Sequence, residues 1–420
     1  MKQHGGPAFQ TSDFRLHTSS ALGNRRGMVA LSAIIMLSLM VIVALAGHEE
    51  MTLEARAAVN RNDIRQAYQC ARTGIDYCLY LAGQNTNWRS DFGNGVWVTD
   101  YAVGSGLVSV SASDPADGMI GNDPIGIVEF TAAASKGVAR RTLIAQAQPP
   151  PGEALRYVLC CLTDQEMLLR DDVCVYGDIR TSGNVTLSGT VSLKGNINTL
   201  AGAAVSPDLL DGDTAVVNTS GAVQPPPVSL AWYKNIGELV QIPRDGEDYR
   251  LRNVRLASDS NPYGFMQSDG VYCFDAGGAT VIVSDCYIEG TLVVTNAGKL
   301  RIQSGYHHVP GREYYPALLS DSNIEIRMSQ PLRESDSNAD LDGDGDKSDV
   351  FVSQIRGVIY TSARFSGFQD QTATGPFFVS GAVVAGAIEV FGGECHVSYD
   401  PHLAATPVAG FQGDGLAIMK

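Results

Sequence analysis

Residues 25–47, RRGMVALSAIIMLSLMVIVALAG, decide how the rest of the chain is read. The twenty residues from Met28 to Gly47 carry no charge, and Ser32 and Ser38 are their only hydroxyls. At a helical rise of about 1.5 Å per residue they reach roughly 30 Å, the thickness of a bilayer's hydrocarbon core. Only a helix satisfies its own backbone there. Arg25 and Arg26 precede the run, and His48, Glu49, Glu50 and Glu54 follow it. Of the formal net charge of −15, residues 1–27 contribute +3 (Lys2, Arg15, Arg25 and Arg26 against Asp13), leaving −18 for the remainder. A basic tail before an apolar run and an acidic body after it predict a single pass through the inner (cell) membrane. The amino terminus is then cytoplasmic and the body periplasmic or extracellular. An acidic body also argues against nucleic acid as a partner.

Upstream, residues 1–24 are polar, without periodicity, and expected to be disordered. Downstream, no helix breaker occurs between Glu49 and Thr73. Leu53, Ala57, Ile64, Tyr68, Ala71, Ile75, Cys78 and Ala82 recur at three- and four-residue steps. This predicts an amphipathic continuation of the same helix, ending near Gly83, and a rod of about 55 residues, roughly 80 Å long. The segments Gly95–Val103, Gly106–Ser113, Gly126–Ala134 and Val138–Ala147 alternate or run β-branched between Asp/Pro/Gly turns. Four such strands after one long helix read as a small antiparallel sheet packed on the helix's carboxyl half. Pro149-Pro150-Pro151-Gly152 then marks a stiff linker. The fold class is therefore α+β: a long amino-terminal transmembrane and amphipathic helix on a small antiparallel sheet, followed by a mainly-β domain. The units are a leader at 1–27, the helix at 28–84, the sheet at 85–149, a Pro-rich linker at 150–157 and the β-domain at 158–420.

A basic residue and glycine before an uncharged run opening at Met28, an amphipathic continuation and a small sheet resemble a type IV prepilin. Within that superfamily the chain is similar to minor pilins of the PilX type and to general secretion pathway protein K. The resemblance covers about residues 25–150. It implies a leader removed by prepilin peptidase between Gly27 and Met28, and assembly with other pilin-like subunits in a type IV pilus or secretion fibre. Most pilins carry glutamate at the fifth mature position, where this chain has Ser32. K-type pseudopilins also lack it, which favours a minor, tip or initiating role. An intramembrane carboxylate is costly and needs a partner, so a subunit without it cannot make that pairing.

Residues 153–420 show no long helical pattern. Gly177, Gly183, Gly189 and Gly195 fall at steps of six, each followed two residues later by an aliphatic: Ile179, Val185, Val191 and Ile197. Hexads of this kind are a signature of β-solenoids, with aliphatics turned inward and stacked rungs sharing one core. Related glycines at Gly357, Gly381, Gly386 and Gly392, and the apolar stretch Val281–Ile302, continue the pattern. Forty-five glycines in 420 residues fit many turns between short strands. Ser206–Pro227 and Tyr233–Asp248 interrupt the repeat, with a short helix expected at Ile236–Ile242. The closing stretch from Val397 to Phe411 resembles the tail of exported glycine-hexad domains behind PilX-type anchors, and its expected role is a cap on the last rung.

The sharpest chemical signal is the Asp-rich loop at 336–349. Asp340, Asp342, Asp344 and Gly345 fit positions 1, 3, 5 and 6 of a calcium loop, with the Asp346 carbonyl and Ser348 at positions 7 and 9. The position-12 glutamate is absent, Phe351 standing there, and Asp349 substitutes only if the loop is shortened. Calcium is therefore the expected cofactor, with weak affinity. His307-His308 invites a metal reading, but strand neighbours point to opposite faces; His396 and His402 form no recognised ligand set. No GxSxG, HExxH or P-loop is present. Asp275, Asp285 and Glu289 are the carboxylates that a carbohydrate-active β-helix would use, but acids at strand ends are ordinary in such a fold. The eight cysteines include no CxxC, and buried thiols are expected for at least half. The expectation is a non-enzymatic, membrane-anchored minor pilin or pseudopilin-like protein. Its β-domain would be a display or adhesion module, with a surface glycan as a further partner. The alternatives are a membrane-anchored carbohydrate-active enzyme or a polymerising scaffold.

Overall fold

The computed structural model describes residues 25–85, 87–200, 214–219, 221–228, 230–328, 330–368, 376–392, 394–413 and 415–419. The expected disorder of residues 1–24 and part of the interruption at Ser206–Pro227 lie outside them. One helix, α1, runs unbroken from Arg25 to Gln84, sixty residues without a proline. Its apolar run is exposed along its length, and the most apolar 18-residue window has a mean hydropathy of 2.8 with none of it buried. The buried stripe comprises Ala67, Cys70, Ala71, Ile75, Cys78 and Ala82.

The helix ends at Gln84, as expected, with the main chain of Gly83 against Gly415. One detail differs: Leu53 is 64% and Tyr68 48% exposed, although both continue the apolar stripe in sequence. Strands of eight to ten residues reach only about 30 Å, so the sheet covers just the last third of the rod. Small side chains let helix and sheet approach closely. A methyl group at Gly74 would sit 2.7 Å from Val108 Cγ2.

Strands β1 (Gly95–Val103), β2 (Gly106–Ser113), β3 (Val128–Lys136) and β4 (Ala139–Gln148) form an antiparallel meander in chain order. Val108, Val110, Phe130 and Ala132 bury against the α1 stripe. A fifth strand comes from the far end of the chain: Ala417 and Ile418 pair antiparallel with Gln148 and Ala147. The tail assigned by sequence to the β-domain thus ends in the sheet. Two residues carry no readable alternation, which is why the pattern concealed it. The Pro-rich linker is likewise held, since Gly152 N–H donates to the Phe411 carbonyl and Gly413 N–H to the Pro150 carbonyl.

The mainly-β domain consists of parallel ladders stacked as coils. Val191 lies beside Val173, Ile197 beside Ile179 and Val185 beside Met167, each offset by three hexads. Glycine is required at the corners. A Cβ on Gly195 (φ +158) would lie 2.3 Å from the Gly177 carbonyl oxygen below it. The coils do not stack in chain order. From Leu159–Cys161 the chain climbs coil by coil to Val216–Thr219, which pairs with Ile197–Leu200. It then crosses to the opposite end and returns through Val271–Asp275, Thr280–Glu289, Thr291–Thr295 and Lys299–Val309. The long strands Gln354–Phe368 and Phe377–Phe391 follow, and the latter docks on Leu159–Cys161 and Met167–Arg170. Cys395–Ser398 joins the two stretches, pairing with Phe377–Ser380 on one side and Val173–Tyr176 on the other. One continuous apolar core runs from Val158 to Val397.

One outer flank is also apolar, including Cys160, Cys273, Val293, Leu319, Val358, Tyr360 and Val384. It is covered by the helix Leu230–Ile236, six residues earlier than expected, and by Leu403, Val408, Ala409 and Phe411. The closing segment therefore lies along a flank instead of capping an end. Tyr233 Oη donates to the Ala409 carbonyl at 2.8 Å, and Tyr399 Oη to the Leu155 carbonyl at 2.7 Å.

Candidate functional site

The Asp-rich loop is an excursion between two coils, closed at its base by a ribbon in which Leu332 pairs with Phe351 and Arg333 with Val350. A single helical turn, Glu334–Ser337, leads into it, and Asn338 turns the chain with φ 51°. Each aspartate then holds the backbone ahead of it. Asp340 accepts the N–H groups of Gly343 and Gly345 at 2.6 and 3.0 Å. Asp342 accepts that of Asp344 (3.2 Å), Asp344 that of Asp346 (2.9 Å), and Asp346 that of Ser348 (2.8 Å). The Ser348 hydroxyl also donates to Asp346.

The structure adds a residue that the motif did not reveal. Glu334 is fully buried, its carboxylate accepting the N–H of Leu341 at 2.5 Å and of Asp349 at 3.2 Å. It pins both ends of the loop, whereas Phe351, at the usual position of the last ligand, packs against Tyr287 and His307. The signal was an isolated acid just before the loop, too far from the repeat to be counted with it. Carboxylate oxygens of Asp340, Asp342 and Asp344 lie within 4.8 Å of one another. The same holds for Glu334, Asp342 and Asp349, and for Asp344, Asp346 and Asp349. Ligands 2.3–2.6 Å from a common calcium ion lie at most about 5 Å apart, so these all-oxygen groups fit a hard dication. Desolvation, then repulsion from Asp346, Asp344, Asp342 and Glu334, raises Asp349 above its ordinary value.

Gly27 and Met28 lie exposed in the first turn of α1. The two adjacent histidines separate as strand geometry requires. His308 is fully buried, with Nε2 3.1 Å from the Gly290 carbonyl and Nδ1 2.7 Å from Tyr306 Oη. A carbonyl only accepts, so the proton sits on Nε2 and the tyrosine hydroxyl donates to Nδ1. Burial lowers this imidazole to about 4. His307 faces outward and stacks on Tyr287, ring centroids 5.0 Å apart. His396 stacks on Phe378. Among the described residues, no group of three metal-ligating side chains includes a histidine or a cysteine.

The three candidate catalytic carboxylates are engaged separately. Asp275 pairs with Lys234 and accepts from Asn296, while Asp285 faces Arg252 at 3.7 Å. Asp285 and Glu289 sit four residues apart on one strand, about 13 Å. All eight cysteines are free, and seven are buried. Burial pushes Cys78, Cys273 and Cys286 up to about 12, so these are inert apolar fillers. Beside the loop lies an open groove of about 630 Å³ whose walls include Tyr287, His307, Glu313, Arg356, Asp400 and His402.

The chain matches no protein-family model and no curated protein. Among solved structures it is similar to the competence-associated pilin ComZ from Thermus thermophilus. That likeness has 9% sequence identity and a TM-score of 0.31, over 86% of this chain and 97% of that one.

Proposed function

We propose that this chain is a non-enzymatic, membrane-anchored minor pilin or pseudopilin-like protein whose β-domain is displayed outside the cell membrane. The observation that carries this reading is α1. Its first third is apolar on every face and has nothing packed on it, while its last third buries a stripe of small side chains under a sheet. Such a rod has one end for lipid or for a bundle of similar helices and one end for a folded head. Small residues such as Ala30, Ala33 and Ala44 suit close helix packing. In this reading prepilin peptidase removes the leader at Gly27–Met28, and the absence of a carboxylate at Ser32 assigns a tip or initiating position. The Asp-rich loop holds calcium through Asp340, Asp342, Asp344, Asp346, Ser348 and Asp349, with Glu334 closing its base. The adjoining groove, with aromatic rings beside carboxylates and a guanidinium, suits a surface glycan.

Protease treatment of intact spheroplasts tests the topology. The reading expects the sheet and β-domain to be accessible without detergent and to remain membrane-bound after carbonate washing. Protection of the β-domain until the membrane is opened would overturn it.

A further inference from the structure

The apolar flank of the coils ends in a buried charge. Going up the parallel ladder, Cys160 is followed by Arg180, and Arg180 by Asn198. Arg180 is only 3% exposed. The segment Gly221–Val223 crosses over it. The Gly221 carbonyl accepts one N–H from Arg180 Nη2 at 2.5 Å, and the Val223 N–H donates to Ser182 Oγ at 3.3 Å. Arg180 Nε and Nη1 are enclosed and have no acceptor among the described residues. A guanidinium does not give up its proton in a protein, so one N–H on Nε and two on Nη1 stay charged and unclaimed.

No carboxylate meets this charge: Arg180 has no ion pair among the described residues. Its surroundings are positive on balance. Desolvation raises the Tyr157 phenol, while the Arg180 and Arg156 guanidiniums both pull it back down and Glu153 is the one carboxylate opposing them. The Tyr157 hydroxyl itself has no hydrogen-bond partner among the described residues. The cover over the guanidinium is also thin. Gly221 and Ala222 are exposed, and a methyl group on Gly221 would meet nothing within 4 Å. A small molecule therefore reaches Arg180 past a single strand of chain.

We infer that Arg180 holds a small oxyanion, a phosphate or a carboxylate, under the Gly221–Val223 segment, with the Tyr157 hydroxyl donating to the same ligand. Buried charges persist where they are paired and hydrogen-bonded. A planar guanidinium matches the oxygens of carboxylate and phosphate. An anion bound there ties the crossing segment to the coils at the end of the flank.

Calorimetry on the full-length protein in detergent tests this at fixed ionic strength, with inorganic phosphate as one probe and acetate as the other. Two charge-assisted contacts correspond to a dissociation constant on the order of 1 mM for at least one probe. Tighter binding of phosphate identifies a tetrahedral anion, and tighter binding of acetate a carboxylate. Arg180→Met removes an unmatched buried charge, so it should keep the fold without anion and weaken binding at least about tenfold. Tyr157→Phe keeps the ring and should weaken binding by a smaller factor, which covers the case in which the Arg180 variant fails to fold. No binding of either probe at about ten times that concentration would overturn the inference. So would displacement by an equal concentration of chloride, which marks a bare charge, or unchanged affinity in either folded variant.

Discussion

His308 should make the β-domain unstable in mild acid, by an amount the structure sets. The imidazole has no room for a second proton, because both ring nitrogens are engaged and the residue is fully enclosed. In the unfolded chain it takes a proton near its ordinary 6.5, and in the fold only near 4. A group whose folded value is depressed contributes stability that is complete above the unfolded value and is lost as pH falls towards the folded one. The window is therefore pH 6.5 down to 4. A separation of 2.5 units corresponds to about 3 kcal/mol in full, of which about 2 kcal/mol is lost by pH 5. His307 is also lowered, by desolvation first, so it adds in the same direction. The comparison that isolates His308 is wild type against His308→Gln, which keeps a donor and an acceptor at the site. Urea unfolding followed between pH 7 and pH 4.5 should show the wild type losing about 2 kcal/mol more than the variant. Equal losses in the two proteins would refute the argument.

Further outcomes follow from the packing and from the Asp-rich loop. Phe411→Ala should cost about 3–5 kcal/mol, because the ring is fully buried against Tyr360 on the coil flank; the unfolding midpoint reads it. Gly381→Ala, with φ +151° and a Cβ placed 2.0 Å from the Gly357 carbonyl oxygen, should destabilise by about 2 kcal/mol or more. Gly221→Ala, with nothing within 4 Å, should be neutral in the same thermal scan. Calcium at about ten times its dissociation constant should raise the melting temperature, by the equivalent of about 1.4 kcal/mol. Asp342→Asn should remove that shift.

Much of the local structure was legible. The alternation from Gly95 to Ala147 gave all four sheet strands to within two residues of their observed ends, because half-buried strands must alternate. The hexads at Gly177–Ile197 marked the aliphatics that turn inward, Ile179, Val185, Val191 and Ile197, all of them buried. What they could not give was coil order. A six-residue spacing is satisfied whichever rung stacks on which, so the crossing to the far end and the return to Leu159 left no mark. The closing strand Ala417–Ile418 was too short to show a period. At the Asp-rich loop, the aspartates announced themselves by spacing, while Glu334 acts through a fold-back that spacing does not encode. Conversely, Leu53 and Tyr68 continued the helical stripe in sequence where no sheet was left to cover them.

The central claim is that the apolar rod is a processed membrane anchor carrying a β-rich head. Intact-mass measurement on the chain recovered from the membrane fraction tests it most directly. The account predicts a polypeptide beginning at Met28, retained with the membrane. A chain that keeps residues 1–27 and partitions into the soluble fraction would contradict it.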